Sequence, residues 1–176
     1  VRYGLANLPD VDNTVVPGRV TIHHFGGVAK GGILVANVYL TCTIGLTAAN
    51  WKAFTKLGEL LSHYSQPFVI GGDWNTTPQE PHNSGWPAAV GGKIIYPDQP
   101  GGTCAPAGRA LDFYVVSEAL ASSCQVQILQ GHALRPHKPA QMVVRGQHRR
   151  LTVQQAASCS AAISTAQAHW MPNRTS

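Results

Sequence analysis

The chain has 176 residues, 44% of them hydrophobic, and this composition suits one globular domain with a core of its own. It excludes a disordered chain, and the longest apolar runs are far shorter than the roughly 20 residues of a membrane-spanning helix. A formal net charge of +5 is compatible with a polyanionic partner, although ordinary proteins often carry as much.

The cysteines bear on the compartment. They are widely spaced and form no CxxC or Cys/His pair of zinc-finger spacing: Cys42, Cys104, Cys124 and Cys159. Such a low density favours free thiols in a reducing environment, so an intracellular location is expected without a specific compartment. Two disulfides are the alternative.

The first half of the chain predicts an irregular segment, two strands and a helix. Residues 1–18 are predicted to be irregular. Two β-rich runs, RVTIHHF (19–25) and ILVANVYL (33–40), are separated by GGVAKGG, which suits a hairpin connection. After Thr47, a candidate N-cap, apolar residues recur every three or four positions and predict a helix that ends before Pro67. The residues of its expected buried stripe are Trp51, Phe54, Leu57, Leu61 and Tyr64.

The second half predicts further strands around a long loop. FVIGG (68–72) is unbroken in its apolar residues and predicts a strand covered on both faces. Residues 76–110 are rich in Pro, Gly and Asn and predict a loop with one strand, KIIY (93–96). Three more strand candidates follow: ALDFYVVS (110–117), CQVQILQ (124–130) and AQMVVRG (140–146).

The domain boundaries follow from this order of elements. Residues 19–146 form the predicted domain, of mixed α/β class. Residues 147–176 form a basic C-terminal segment, in which Leu151–Trp170 is a possible helix with a poorly defined apolar face.

The stretch FVIGGDWNTTP, residues 68–78, carries the strongest chemical signal. Two glycines let the backbone turn and approach a ligand, and they are followed by Asp73 and Asn75. Asp73 could orient or deprotonate a water molecule or assist a metal, and the Asn75 amide could donate a hydrogen bond to a phosphoryl oxygen. The alternative is a turn, in which Asp and Asn are favoured for local reasons.

Four segments taken together, ANVYL, GGDWN, LDFYVVS and RPHKP, resemble the later part of the endonuclease/exonuclease/phosphatase superfamily. The resemblance spans residues 19 to about 145 and is greatest to abasic-site endonucleases and to the endonuclease domains of non-LTR retrotransposons. It implies part of a four-layer α/β/β/α sandwich with two stacked mixed sheets. It also implies in-line attack of water on a phosphate ester, with Mg²⁺ or Mn²⁺ as cofactor and DNA as the partner.

The resemblance also assigns roles to individual residues. Asp73 and Asn75 match the family's GDxN pair, Asp112 its histidine-orienting aspartate and His137 its catalytic histidine. Tyr39 falls where abasic-site endonucleases place a tyrosine at the phosphate.

Each of these residues also has a plainer interpretation. His137 could be an exposed loop histidine, Asp112 a member of a structural salt bridge, and Tyr39 an ordinary strand aromatic. The tryptophans of the loop, Trp74 and Trp86, could stack on bases as substrate-binding residues, whereas tryptophan more often serves packing.

Two departures from the family pattern are apparent. Pro136 stands where the family has an aspartate before the histidine, and proline cannot bind a metal. Nothing upstream of Arg19 matches the family's asparagine and metal-binding glutamate; the acids there are Asp10 and Asp12. The metal ligands are therefore unassigned. Glu80 is a possible substitute, with an exposed loop glutamate as the alternative.

The departures lead to the expectation that the chain holds the second half of the sandwich without its N-terminal strands. A missing N-terminal segment or a protein partner would then cover the inner sheet. Two hypotheses follow: a divalent-metal-dependent phosphodiester hydrolase acting on DNA, weak or inactive as a fragment, or a non-catalytic remnant that serves as an interaction or structural module.

Overall fold

The computed structural model describes residues 5–6, 14–26, 29–97, 101–105, 108–131 and 134–145. Within them lie four helices, α1 (Ala48–Ser62), α2 (Gln79–Ser84), α3 (Trp86–Ala89) and α4 (Glu118–Ala121). The strands are β1 (Leu5–Ala6), β2 (Thr14–Val16), β3 (Val20–Phe25), β4 (Ile33–Tyr39), β5 (Phe68–Asp73), β6 (Gly92–Ile95), β7 (Asp112–Ser117), β8 (Cys124–Ile128) and β9 (Ala140–Val144). No helix among the described residues is both long and apolar enough to span a membrane.

Seven strands form one mixed sheet in the order β1-β3-β4-β5-β7-β6, with β2 also paired to β3. β4 and β5 are parallel and are joined through α1, whereas the other pairs in this sheet are antiparallel. The last residues of β4 and β5 therefore meet the first residues of β3 and β7 at one edge of the sheet, which we call the site edge.

One face of this sheet is covered by α1 and by the segment containing α2 and α3. We call it the helix-covered face. Strand residues alternate onto it and meet the apolar stripe of the helix. The resulting core includes Ile22, Leu34, Ala36, Val38, Phe54, Leu57, Ile70, Trp74, Phe113 and Val115.

The opposite face, which we call the open face, is covered in part by a two-stranded antiparallel sheet of β8 and β9. Met142 and Cys124 of this small sheet pack against a second apolar cluster that contains Val69 and Val116. The Tyr114 hydroxyl donates a hydrogen bond of 2.7 Å to the Ala140 carbonyl and so joins the two sheets. The mixed α/β class predicted from the sequence is confirmed.

The structure differs from the sequence-based prediction in residues 76–110, where two short helices, α2 and α3, replace part of the expected loop. Their prolines misled the prediction. Pro78 is the N-cap of α2, Pro81 lies in its first turn, and Pro87 is the second residue of α3. Proline is compatible with these positions because the first N–H groups of a helix have no intrahelical acceptor.

Two smaller differences concern α1 and the N-terminal segment. Trp51 is 38% exposed and stacks on Phe54 instead of joining the core, while Asn50 is buried. Two short strands, β1 and β2, lie in the segment for which the sequence predicts irregular structure. Of the cysteines, Cys42, Cys104 and Cys124 are free. Cys159 and the possible helix over 151–170 lie outside the described residues.

Candidate active site

The backbone at the end of β5 comes unusually close to β4. Gly72 has a φ of 151°, and a Cβ at this position would overlap the carbonyl oxygen of Val38. Only glycine fits such a conformation and such an approach. The glycine therefore allows β5 to reach the site edge beside β4, where Asp73 pairs in register with Tyr39.

Two carboxylates and an imidazole converge at the site edge. Asp73 and Asp112 are register partners in the antiparallel pair β5–β7. His137, in the loop before β9, approaches both from the side. Its Nδ1 lies 2.8 Å from Oδ2 of Asp112, and its Nε2 lies 3.8 Å from Oδ2 of Asp73. All three side chains are partly exposed, so the group is open to a ligand.

The hydrogen bond to Asp112 determines what the imidazole can do. A carboxylate only accepts hydrogen bonds, so Nδ1 of His137 carries the proton and donates it. Nε2 is then free to accept a proton when the ring is neutral or to donate one when it is charged. This is the arrangement of a general acid or base held by an orienting carboxylate.

The surroundings raise the pKa of both His137 and Asp73. Burial alone lowers the pKa of His137, but the hydrogen bond and charge of Asp112, together with the charge of Asp73, raise it above its ordinary value. Burial raises the pKa of Asp73, assisted by the charge of Asp112, against the opposing effects of the Asn75 N–H and His137. A carboxylate whose pKa is raised is a stronger base than an exposed one.

Asn75 combines a turn with a tie to the neighbouring strand. Its backbone N–H donates 3.0 Å to Oδ1 of Asp73, which is the local turn that the sequence also allowed. Its side-chain amide donates a hydrogen bond of 2.8 Å to the carbonyl of Leu40, the residue after β4. The residue has a φ of 48°, a left-handed conformation that asparagine tolerates. The amide carries a second N–H besides the one bonded to Leu40.

Tyr39 stands beside Asp73 at the site edge and is 48% exposed. The guanidinium carbon of Arg19 lies 5.1 Å from the centre of its ring, which is a cation–π distance. The sequence-based reasoning missed Arg19. The signal was available, since Arg19 precedes a strand antiparallel to that of Tyr39 and so falls at the same edge.

Trp74 is not at the mouth of the site, and this placement corrects its assignment as a substrate-binding residue. It is 1% exposed, stacks on Phe113 with ring centres 4.9 Å apart, and donates an indole hydrogen bond to the Phe113 carbonyl. Trp86 is also buried and donates to the carbonyl of Phe54. Strand alternation sends Asp73 to the open face and Trp74 to the helix-covered face.

The donor set at the site edge suits a hard divalent cation. Mg²⁺ in proteins binds through one or two carboxylates together with water and substrate oxygens. Asp73 and Asp112 supply such carboxylates, and donor atoms of both lie within 4.8 Å of each other and of His137. Glu80 is exposed on the first turn of α2 and is not a member of this group, and Pro136 supplies no ligand.

A cleft connects the site edge to the open face. Its volume is about 370 Å³. Its walls come from β4, β5, β7 and the start of β9, and they include Val35, Asn37, Val69, Asp73, Asp112, Tyr114 and Ala140. This cleft marks the part of the open face that β8 and β9 leave uncovered.

Asn50 is a second residue that the sequence-based reasoning missed. It is 3% exposed, and its amide accepts from the Thr41 N–H and donates to the carbonyls of Thr41 and Gly45. These bonds hold the loop that follows β4 and Tyr39. The polar residue in an apolar helical stripe was a signal, because a buried amide needs partners outside its helix.

The comparisons with known proteins agree on the fold. No family model and no curated protein sequence matches the chain. Among solved structures, the endonuclease domain of TRAS1, a telomere-specific non-LTR retrotransposon, matches with a TM-score of 0.61 at 12% identity, over 82% of this chain and 70% of that one. The AP endonuclease LMAP from Leishmania major gives 0.62 at 16% identity, over 82% and 62%. Cytolethal distending toxin from Actinobacillus actinomycetemcomitans gives 0.55 at 17%, over 81% and 58%.

The chain thus has the fold of the endonuclease/exonuclease/phosphatase superfamily, and the resemblance read from its sequence motifs is confirmed at the level of the fold. It spans between 58% and 70% of the length of these three structures.

Proposed function

We propose that this chain is a divalent-metal-dependent phosphodiester hydrolase that acts on DNA. The observation that carries the proposal is the convergence of Asp73, Asp112 and His137 at one sheet edge, from strands and a loop far apart in sequence. A structural salt bridge would need only one carboxylate for the histidine. Two carboxylates around one partly exposed imidazole form a site that can transfer a proton to or from a ligand.

The chain's own residues can activate the attacking water of the hydrolysis. Nε2 of His137 and Oδ2 of Asp73 are 3.8 Å apart, so one water molecule can hydrogen-bond to both at about 2.8 Å. Nε2 of His137 takes one proton of that water as the water oxygen bonds to phosphorus. The bond from phosphorus to the leaving oxygen breaks in line with the attack, and the leaving oxygen takes a proton from solvent. Asp112 stabilises the imidazolium through Nδ1, and the free N–H of Asn75 donates to a phosphoryl oxygen as negative charge develops.

Mg²⁺ or Mn²⁺, when bound through Asp73 and Asp112, would neutralise charge on the phosphate. The preference for a polyanion is supported by basic residues around the site. Arg135 and Lys138 flank His137, and Arg109 lies three residues before Asp112. Arg19 lies over Tyr39. Cations in such positions attract the phosphates of a nucleic acid backbone.

The uncovered part of the open face is where the expected covering segment or partner would bind. The cleft is walled by apolar and small residues of β4 and β5, with Asp73 at one end. A segment or partner protein seated there would bury Val35 and would close the site from one side. We propose that such a partner binds this face, while the residues that carry out the reaction are all supplied by this chain.

The test is nicking of supercoiled plasmid by the full chain in Mg²⁺ and then in Mn²⁺, with Asp73→Ala and His137→Ala prepared in parallel. Glu80→Ala and His82→Ala serve as matched controls, because both residues are exposed on α2 outside the three-residue group. We expect nicking that is lost in the two site variants and kept in the two controls.

Absence of nicking in both metals, or nicking that survives both site substitutions, would overturn the hydrolase proposal. The non-catalytic interaction module would then be the better description, and the search would turn to what binds the cleft.

A further inference from the structure

A short segment lies between the two parts of the chain that carry Asp112 and His137. Residues 103–105, which we call the bracket, hydrogen-bond on one side to the approach of β7 and on the other side to the loop before β9. On the β7 side, the N–H groups of Thr103 and Cys104 both donate to the carbonyl of Arg109, at 3.0 and 2.9 Å.

The other side of the bracket holds the histidine loop. The N–H of Lys138 donates to the carbonyl of Thr103 at 2.7 Å, and the N–H of Ala105 donates to the carbonyl of Pro136 at 3.0 Å. His137 lies between these two bonds, and Cys104 is its bridge partner. The backbone on both sides of the catalytic imidazole is thus fixed to the bracket.

The side chain of Thr103 completes the connection. Its Oγ1 accepts two hydrogen bonds of 2.9 Å, one from the N–H of Leu111 and one from the N–H of Asp112. A hydroxyl oxygen has two acceptor lone pairs, so both bonds can form at once. Thr103 is 0% exposed, which means that no solvent replaces this acceptor if it is removed. Asp112 is the first residue of β7.

We propose that Thr103 is a positioning residue that sets the distance between Asp112 and His137. The inference rests on the proposed function only for its catalytic consequence. Through its hydroxyl Thr103 fixes the backbone of Asp112, and through its carbonyl it fixes the residue after His137. A single residue thereby connects the two backbone segments that must align for the 2.8 Å hydrogen bond between Nδ1 of His137 and Oδ2 of Asp112.

The glycine before Thr103 supports a tightly constrained bracket. Gly102 has a φ of 54°, and a Cβ there would overlap the carbonyl oxygen of Gly108 and lie 2.5 Å from the carbonyl carbon of Arg109. Only glycine permits this approach. The residue before the bracket is thus also close to the segment that leads into β7, in addition to the contact through the threonine hydroxyl.

The test compares Thr103→Val, which keeps the shape and removes the acceptor, with Thr103→Ser, which keeps the acceptor. Thr76→Val is the matched control: Thr76 is 3% exposed, and within the described residues its hydroxyl has no hydrogen-bond partner. Two NMR readouts on the full, metal-free chain need no activity. They are hydrogen exchange of the Leu111 and Asp112 amides, and the Nδ1–H signal of His137 at a pH where the ring is neutral.

We expect slow exchange of both amides in the native protein and a hydrogen-bonded Nδ1–H on His137. In Thr103→Val we expect exchange at least about tenfold faster and loss of the Nδ1–H signal, while Thr103→Ser and Thr76→Val retain both. Nicking should follow the same order, with kcat reduced in Thr103→Val and KM unchanged.

Several results would overturn the inference. They are fast exchange of the two amides in the native protein, a native Nδ1–H signal in Thr103→Val, or its loss in Thr103→Ser. If Thr103→Val does not fold, Thr103→Ala against Thr103→Ser makes the same comparison with a smaller side chain. A native protein that does not nick would remove the proposed function and leave the NMR comparison intact.

Discussion

The two faces of the large sheet carry different kinds of side chain, although the same strands supply both faces. On the helix-covered face, Trp74 and Phe113 stack in a core closed by α1. On the open face, their chain neighbours Asp73 and Asp112 remain partly exposed around an imidazole. Stability and chemistry are therefore separated by the alternation of side chains along a strand, and a functional residue can adjoin a core residue without sharing its environment.

The largest effect on this contrast is expected from Trp74→Ala. The substitution empties the centre of the helix-covered core and removes the indole hydrogen bond, so we expect a loss of about 3–5 kcal/mol in the free energy of unfolding. Urea denaturation measures it. Trp51→Ala, at a 38% exposed position, is the matched control and should cost much less. Equal losses for the two variants would contradict the placement of Trp74 at the centre of this core.

Asp73→Asn changes the open face, and we expect it to reduce activity without reducing stability. Asparagine keeps an oxygen for the Asn75 N–H and removes a partly buried charge beside Asp112, so the melting temperature should stay unchanged or rise. Nicking should fall by about a hundredfold or more, since a general base or metal ligand is lost. The two measurements are calorimetry and a nicking time course. A large loss of stability would show that the carboxylate belongs to the structure.

The pH dependence of stability is the next effect in size. Because the pKa of His137 is raised in the folded state, that state binds the proton more tightly than the unfolded chain does. The contribution of His137 to the free energy of unfolding is fully present below the ordinary histidine pKa and is lost as pH rises through the raised pKa. Because the pKa of Asp73 is also raised, its contribution to stability is likewise lost as pH rises, but in a more acidic range that begins at the ordinary carboxyl pKa.

Urea midpoints of the native protein and of His137→Gln between about pH 6 and pH 8 test this sign. The native protein should lose stability relative to the variant as pH rises. A relative gain over that window would mean that the imidazole is held neutral by the fold. Asp73→Asn between about pH 4 and pH 6 is the corresponding comparison for the carboxyl group.

The smallest effect is expected from Tyr39→Phe. If the hydroxyl contacts a phosphate, its loss removes one hydrogen bond and lowers kcat/KM by about tenfold or less. The ring and its contact with Arg19 are kept, so stability should change by no more than about 0.5 kcal/mol. Steady-state nicking measures the effect on kcat/KM, and unfolding in urea measures the effect on stability. An unchanged kcat/KM would leave Tyr39 as a strand aromatic on the Arg19 side chain.

The predicted strands and the first half of the site follow from short-range patterns. β3, β4, β5 and β7 are runs of strand-forming residues of the right length. Asp73 is the last residue of β5, and Asn75 lies two positions after it. That His137 meets Asp112 came from the family resemblance alone, because the contact joins residues 25 apart and no local periodicity encodes it.

The remaining features depend on tertiary contacts. The partners of Thr103 and Asn50 are backbone groups of other segments, which a sequence does not display. Trp74 was open to two interpretations, although the alternation along β5 already placed it on the side opposite to Asp73. The prolines of α2 and α3 concealed two helices because their compatibility with a first turn depends on where each helix begins.

The register between β5 and β7 has a consequence for the folding of this chain. Asp73 faces Asp112 in the native pairing, and a slip of one residue would turn Asp112 toward the helices and bring Phe113 to the cleft. A mispaired molecule would bury a carboxylate and expose a phenyl ring, and it could not hold the imidazole. A hydrogen-bonded His137 therefore identifies a correctly paired chain, which makes the site a reporter of folding fidelity in preparations of the native protein.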